Sequence, residues 1–335
     1  ANASFAAAQL QQDVALAAVD PNRSIAVGGY LQRGGKTAFT TDDNPGHGWF
    51  TTALTSGTNL RVRRDVGTTT ADIGWFVIQF PATITVSGTV FEDVAGDAVK
   101  DGGDPGVDGV DVRLYADDGD GVPDGGDTFV TSTVTAGGGN YSFIAETGLH
   151  WVVVDSRDVA PSAGGSGVSE QTYGPIGAIC TNGDGPETQR TLVVNGACYG
   201  GRRGDTVDNF AIATNAEHIA GVSANAAGLD FGFSFNVVTR TDDGNSQGTL
   251  RRFLNNAITV TGANVMRFVP AVPTNANAGA RNWWRITANP GSVLDWAFPH
   301  IDDALTTVDG TAHSLVDGSV LEGTAGDPNF GSMGY

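Results

Sequence analysis

The 335-residue chain is poor in basic residues, and above all in lysine. It has 18 lysines and arginines against 37 aspartates and glutamates, a formal net charge of -19, and only two lysines, Lys36 and Lys100. A nucleic-acid partner requires a clustered basic surface that neutralises phosphates, so we expect no nucleic-acid binding. A surface this acidic favours solubility and the binding of cations.

Long apolar runs are also missing. The sequence has no stretch of about 20 apolar residues, so we expect no membrane-spanning segment. It opens at Ala1 without the charged start and apolar segment of a signal peptide, which is typical of a mature exported product. We therefore expect the protein to be extracellular or on a cell surface.

Cysteine is scarce as well. Cys180 and Cys198 are the only two, and they lack the additional cysteines or histidines that a zinc site requires. We expect a disulfide between them, in keeping with an oxidising environment outside the cell.

Motifs of catalysis are absent from the sequence. The five histidines are scattered without HExxH spacing, and no GxSxG, Walker A or helix-opening GxGxxG sequence occurs. We expect a protein that is not an enzyme.

Glycine and β-forming sequence are abundant, in four stretches. Residues 1–84 contain strand-like segments separated by turns, which is typical of a β-sandwich, and the apolar segment IGWFVIQF is expected to lie between two layers. Residues 85–157 predict a second, small immunoglobulin-like sandwich. Residues 158–236 predict an irregular β extension that carries the cysteine pair. In residues 237–335, apolar side chains recur at helical spacing in SQGTLRRFLNNAI, which predicts one short helix.

Aspartates are concentrated in two segments, FEDVAGDAVKDGGD at residues 91–104 and DDGDGVPDGGD at residues 117–127. Calcium takes oxygen ligands, and loops that bind it place them at positions 1, 3, 5, 9 and 12, with a backbone carbonyl at 7 and a glycine at 6. Both segments fit this frame in part. It selects Asp93, Asp97, the Val99 carbonyl, Asp101 and Asp104 in the first, and Asp118, Asp120, the Val122 carbonyl, Asp124 and Asp127 in the second.

Each frame has gaps. Ala95 stands at position 3 of the first, Ala98 replaces its glycine, and Ala116 stands at position 1 of the second, where the adjacent Asp117 is a substitute. The alternative is a pair of solvated turns whose acids only aid solubility. Because carboxylates so crowded repel one another without a cation, we predict two calcium sites that make the domain rigid.

The stretch GTVFEDVAGDAVKDGGDPGVDGVDVRLYADDGDGVPDGGD, with the later strand NYSFIAETGLHWVVVD, resembles the B-type repeat domain of serine-aspartate repeat surface adhesins. The resemblance covers most of residues 85–157. It implies a calcium-binding, immunoglobulin-like module of a bacterial cell surface that acts as a stalk or spacer.

A second resemblance lies in NVVTRTDDGNSQGTLRRFLNNAITVTGANVMRFVPAV and TTVDGTAHS, which are similar to the N-terminal cap of parallel β-helix surface proteins. The fold class expected is therefore all-β, with tandem β-sandwich (immunoglobulin-like) domains followed by a short parallel β-helix-like cap with one short helix.

From these patterns we predict a non-enzymatic structural protein, the subunit of an extracellular filament or sheath assembled by strand addition between copies. Residues 5–18 are the expected donor strand. Two alternatives stay open, a monomeric adhesin stalk and the N-terminal fragment of a carbohydrate-active β-helix enzyme. The stalk would bind a surface glycan or protein. Trp283, Trp284 and Trp296 offer a platform for sugar rings, although core packing or a subunit contact explains them better.

Overall fold

The chain is described here from a computed structural model. It covers residues 2–6, 8–31, 50–64, 71–180, 188–189, 196–200, 218–279, 281–286, 299–301, 305–315 and 318–321. Strands account for 45% of the structure, arranged in several small sheets with one α-helix, which confirms the all-β class. Within these ranges no helix has the length and apolar character needed to cross a membrane. The chain divides into two compact units, Ala1–Ala82 and Thr83–Tyr335.

The first unit contains two three-stranded antiparallel sheets, ordered β1-β6-β3 and β2-β5-β4. Their strands are β1 (Asn2–Phe5), β2 (Gln11–Ala15), β3 (Ser24–Leu31), β4 (Phe50–Ser56), β5 (Asn59–Arg64) and β6 (Ala71–Gln79). Alternate residues point to opposite faces, so Phe5, Leu60, Val62 and Ile73 form the core between the sheets.

Two expectations for this unit are corrected. Residues 5–18, the expected donor strand, contribute to β1 and β2 within the unit itself, and Phe5 is buried there. The segment IGWFVIQF is not covered on both faces, because Ile73 faces the core while Phe76, Ile78 and Phe80 are exposed. Its apolar composition indicated two covered faces, but the second sheet of the unit covers only one.

The second unit is built around two four-stranded sheets, ordered β10-β7-β16-β12 and β15-β11-β8-β9. The strands up to residue 154 are β7 (Thr83–Glu92), β8 (Asp111–Ala116), β9 (Thr128–Val134), β10 (Asn140–Glu146) and β11 (His150–Val154). Those that follow are β12 (Glu170–Tyr173), β13 (Ile179–Cys180), β14 (Thr188–Gln189), β15 (His218–Val222) and β16 (Phe231–Ser234). A shared core that includes Val86, Leu114, Val152 and Phe231 joins the two sheets.

Three strands of residues 158–236, β12, β15 and β16, belong to the same sheets as the strands of residues 85–157, while β13 and β14 pair with each other. β16 lies between β7 and β12, pairing parallel with β7, and β15 pairs antiparallel with β11. We expected residues 158–236 to form a separate extension. Strand partners distant in sequence leave no mark on local periodicity, and this is why the sequence did not indicate the shared sheets.

A disulfide joins Cys180 to Cys198, as expected, with their Cα atoms 5.0 Å apart. Both cysteines are buried in the core between the two sheets. The bond attaches the end of β13 to the described segment 196–200, which lies between β14 and β15 in the chain.

The C-terminal part of the second unit contains the expected helix, α1 (Leu250–Thr259). The hydroxyl of Thr249 caps it by accepting a hydrogen bond from the Arg252 N–H, and Phe253, Leu254 and Ala257 are buried. The strands here are short: β17 (Val237–Val238), β18 (Asn264–Val265), β19 (Arg267–Phe268), β20 (Ala276–Ala278), β21 (Arg281–Trp283) and β22 (Thr306–Thr307). β17 pairs parallel with β19, and β18 pairs parallel with β22.

Candidate functional site: two aspartate loops

Two loops of the second unit carry the predicted ligands. The first loop, residues 93–104, follows β7, and the second loop, residues 117–127, joins β8 to β9. Glycine and aspartate disfavour regular strands and favour tight turns, which explains why the ladders end at these points. All residues of both loops are described, so the two can be compared atom by atom.

The first loop is anchored by Asp93, whose side chain is fully buried. Its backbone N–H donates to the Phe233 carbonyl of β16 at 2.7 Å. Its carboxylate accepts hydrogen bonds from the N–H groups of Asp97 at 3.2 Å and Ala98 at 2.8 Å. Burial raises the pKa of Asp93 to about 6, because the surrounding protein disfavours its charged form.

The second loop is anchored by Asp117, which is partly buried and also accepts two backbone N–H groups of its own loop. Its carboxylate accepts hydrogen bonds from the N–H groups of Gly119 at 2.9 Å and Gly121 at 3.1 Å. The indole N–H of Trp151, a fully buried residue of β11, donates to the same carboxylate at 3.2 Å. Asp117 thus fixes the second loop to the sheet beneath it.

Three further predicted aspartates of each loop occupy equivalent places, whereas Asp118, which accepts from the Asp120 N–H at 3.3 Å, has no counterpart in the first loop. In each loop an aspartate accepts from the N–H two residues later, and the last aspartate accepts from the N–H three residues before it. The first bond is made by Asp97 with Val99 at 3.0 Å, Asp120 with Val122 at 2.8 Å, Asp101 with Gly103 at 2.6 Å and Asp124 with Gly126 at 2.6 Å. The second is made by Asp104 with Asp101 at 3.0 Å and Asp127 with Asp124 at 2.9 Å.

The backbone repeats as well as the hydrogen bonds. Ala98 has φ +61° and Gly121 has φ +75°, so both adopt the left-handed conformation. The sequence frame marked Ala98 as a departure because glycine takes this conformation without strain. In the structure the alanine nevertheless adopts the glycine geometry.

One member of the site, Asp117, had no position of its own in the frame and was named only as a substitute for the missing first ligand. The carboxylate oxygens of Asp117, Asp118 and Asp120 lie within 4.8 Å of one another, the one group of three that the described residues bring so close. The frame had placed Ala116 at the first position, but the second loop is one residue shorter than the first, and Asp117 occupies the place of Asp93. Aligning the loops from their last aspartates and allowing this one-residue gap would have assigned Asp117 to the first position directly.

The two loops differ in how well they suit a cation. Calcium takes oxygen ligands, at distances of roughly 2.3–2.6 Å, and the three clustered carboxylates of the second loop fit that requirement. Burial, and to a smaller extent the nearby carboxylates of Asp117 and Asp124, raise the pKa of Asp127. The first loop, whose residues are all described, also offers aspartate carboxylates as ligands, but no three of them lie this close together.

Of the other candidates, Trp284 belongs to the core around α1. Its indole N–H donates to the Val272 carbonyl at 2.7 Å, and its ring packs against the edge of Phe268. Trp283 is exposed, and Trp296 lies outside the described residues. The contacts of Trp284 therefore favour core packing for that residue, and the platform as a whole remains a prediction.

No protein-family model matches the chain.

Proposed function

We propose that the chain is a non-enzymatic structural protein of a bacterial cell surface, the subunit of an extracellular filament or sheath. The observation that carries this proposal is the repeated aspartate loop, built twice with equivalent hydrogen bonds on one sandwich. The two loops share no strand register that would require them to be similar. A common ligand explains their similarity most simply. The internal disulfide and the two β-rich units support a location outside the cell.

In this proposal the two four-stranded sheets of the second unit form an immunoglobulin-like module of the B type. The residues from 237 onward form a β-helix cap. The parallel pairing of β17 with β19, and the parallel bridge from Phe268 to Ala312, support the cap because parallel neighbours are the pattern of solenoid rungs.

Calcium is the proposed ligand of both loops. It would neutralise the clustered carboxylates and hold the loop backbones in a fixed shape, so that the module transmits position along a filament. In the second loop the ligands would be the predicted Asp118, Asp120, Asp124 and Asp127 together with Asp117. In the first loop they would be Asp93, Asp97, Asp101 and Asp104. The carbonyls of Val99 and Val122 remain predicted ligands.

Calcium binding is tested by calorimetric titration of the wild type and of Asp117→Asn. The variant keeps the shape of the side chain but removes its charge, so we expect loss of one binding event. Asp108→Asn is the matched control, because Asp108 also accepts backbone N–H groups, from Gly138 and Gly139, but lies outside both loops. Equal binding by all three proteins would refute the assignment.

Assembly is tested by negative-stain electron microscopy of purified protein with and without a calcium chelator. Regular filaments that loosen on chelation are the expected result. Dispersed particles in both conditions would favour the monomeric adhesin stalk, and release of reducing ends from polysaccharide would favour the enzyme fragment.

A further inference from the structure

The strand β9 is an exposed edge of the second unit. It is the last strand in the order β15-β11-β8-β9, and β8 is its partner among the described strands. Phe129, Val130 and Val134 are 53%, 41% and 57% exposed.

This edge lacks most of the features that keep sheet edges apart. Natural edge strands carry lysine, proline or inward charges, or are bent by a bulge. β9 has the sequence TFVTSTV, with no charge, proline or glycine. It has one bulge, at Val130, because Leu114 pairs with Thr131 and Tyr115 with Phe129. The part from Thr131 to Val134 is regular.

The sequence of β9 is complementary to itself. If two copies pair antiparallel about a two-fold axis at Ser132, Thr131 of one lies opposite Thr133 of the other, and Val130 opposite Val134. Threonine pairs and β-branched pairs are favourable across strands, and an interface of this symmetry needs such self-complementarity. The neighbouring edge strand β10 does not have it, since pairing about its centre opposes Ser142 to Ile144.

Charge also selects the antiparallel arrangement. Two copies with a net charge of -19 repel, and contact costs least at an uncharged edge. The acidic second loop ends at Asp127, directly before β9. Antiparallel pairing about Ser132 places Asp127 of one copy opposite Gly137 of the other, so the two loops lie about 34 Å apart, several times the Debye length of about 8 Å. Parallel pairing would set the two loops side by side.

We propose that β9 pairs antiparallel with β9 of a second copy of this chain, centred on Ser132. The sheet β15-β11-β8-β9 of one copy then continues into the same sheet of the other. The inference rests on the proposed assembly by strand addition and names the edge that joins copies in pairs, one of the contacts that a filament requires. It also replaces residues 5–18 in that role, because those residues are already paired within the first unit.

Cross-linking of Ser132→Cys tests the register. On the two-fold axis each new thiol faces its own copy, and the native cysteines are paired with each other, so the new thiol is the one available. We expect mild oxidation to convert most of this variant into covalent dimers. Ser142→Cys, on the exposed face of β10, is the matched control and should remain mainly monomeric. Equal yields from the two variants would overturn the proposal.

Sedimentation velocity of Ser132→Lys tests the contact without chemistry. Two lysines facing each other should weaken association roughly tenfold or more, while Ser142→Lys should associate like the wild type. Circular dichroism and thermal unfolding verify that both variants fold. Filaments that persist in Ser132→Lys would overturn the inference and leave the filament proposal standing. Covalent dimers of Ser132→Cys without filaments in the wild type would do the reverse.

Discussion

At the scale of single residues, Ala98 in the first aspartate loop and Gly121 in the second have left-handed backbone conformations. At Gly121 the cost of backbone strain can be separated from the cost of packing. Gly121 has no atom within 4 Å of the place where a Cβ would stand, and its φ is +75°. A methyl group added there would meet no steric obstacle, so the cost of adding it is that of the backbone conformation alone.

We expect Gly121→Ala to lower the free energy of unfolding of the second unit by about 1–2 kcal/mol. Gly102 in the first loop also has open space around its Cβ position but no left-handed φ, so Gly102→Ala is the matched control and should change stability little. Denaturant unfolding of the two variants compares them. Equal losses would show that the loop backbone is not strained at residue 121.

His218 is a buried titratable group remote from the loops. Its ring lies against Phe233, its Nδ1–H donates to the Gln171 side-chain carbonyl at 2.7 Å, and its Nε2 has no hydrogen-bond partner among the described residues. This arrangement suits a neutral ring, and burial lowers the pKa of His218 to about 3.

Between pH 6.5 and about 3, the histidine of the unfolded chain, with a pKa of about 6.5, binds a proton, whereas that of the folded chain does not. Stability from this residue is therefore present above pH 6.5 and is lost as the pH falls, by about 1.4 kcal/mol per unit. Urea unfolding between pH 7 and 4 measures it. His218→Gln should show a shallower slope, and an unchanged slope would contradict the assignment.

The candidate site was partly predictable from sequence at this scale. The spacing of Asp97, Asp101 and Asp104 identified their counterparts in the second loop, because each forms a short-range turn within its own segment. Asp117 was displaced by one residue from a rigid frame. A frame of fixed spacing counts positions, whereas in the folded loop the absence of one residue moves the anchoring aspartate by one position.

At the scale of elements, the helix and most strands were predictable, since alternation and helical spacing are local signals. The side on which β6 is covered and the parallel pairing of β7 with β16 were not, because each depends on a segment far away in sequence. The cysteine pair was the one long-range link that composition alone disclosed.

Removal of that link is an element-scale prediction. Cys180 and Cys198 are 18 residues apart, and a loop of this length contributes about 3 kcal/mol in the chain-entropy model. We expect the double replacement by alanine to destabilise the second unit by about that amount, as measured by guanidinium unfolding. Loss of stability in the first unit instead would contradict the boundary between the units.

At the scale of the whole molecule, the division at residue 82 predicts two separately perturbable cores. Leu60 is fully buried in the first unit, and Leu114 is fully buried in the second. Each leucine replaced by alanine leaves a cavity that costs about 2–5 kcal/mol.

Differential scanning calorimetry compares Leu60→Ala with Leu114→Ala. We expect each variant to lower the melting temperature of its own unit and to leave the other transition in place. A single transition that both variants shift together would show that the units unfold as one.

The pairing of β7 with β16 has a mechanical consequence. The two strands lie side by side and run in the same direction, so the chain enters the pair at one end and leaves it at the other. Tension applied at the N-terminal end of β7 and the C-terminal end of β16 would pull the two strands along each other. The paired residues from Val90–Phe231 to Glu92–Phe233 would then be loaded together, in shear, instead of separating one after another. Two sheets connected in this way are suited to resist stretching. We expect optical-tweezer extension of the chain to show a single rupture at high force.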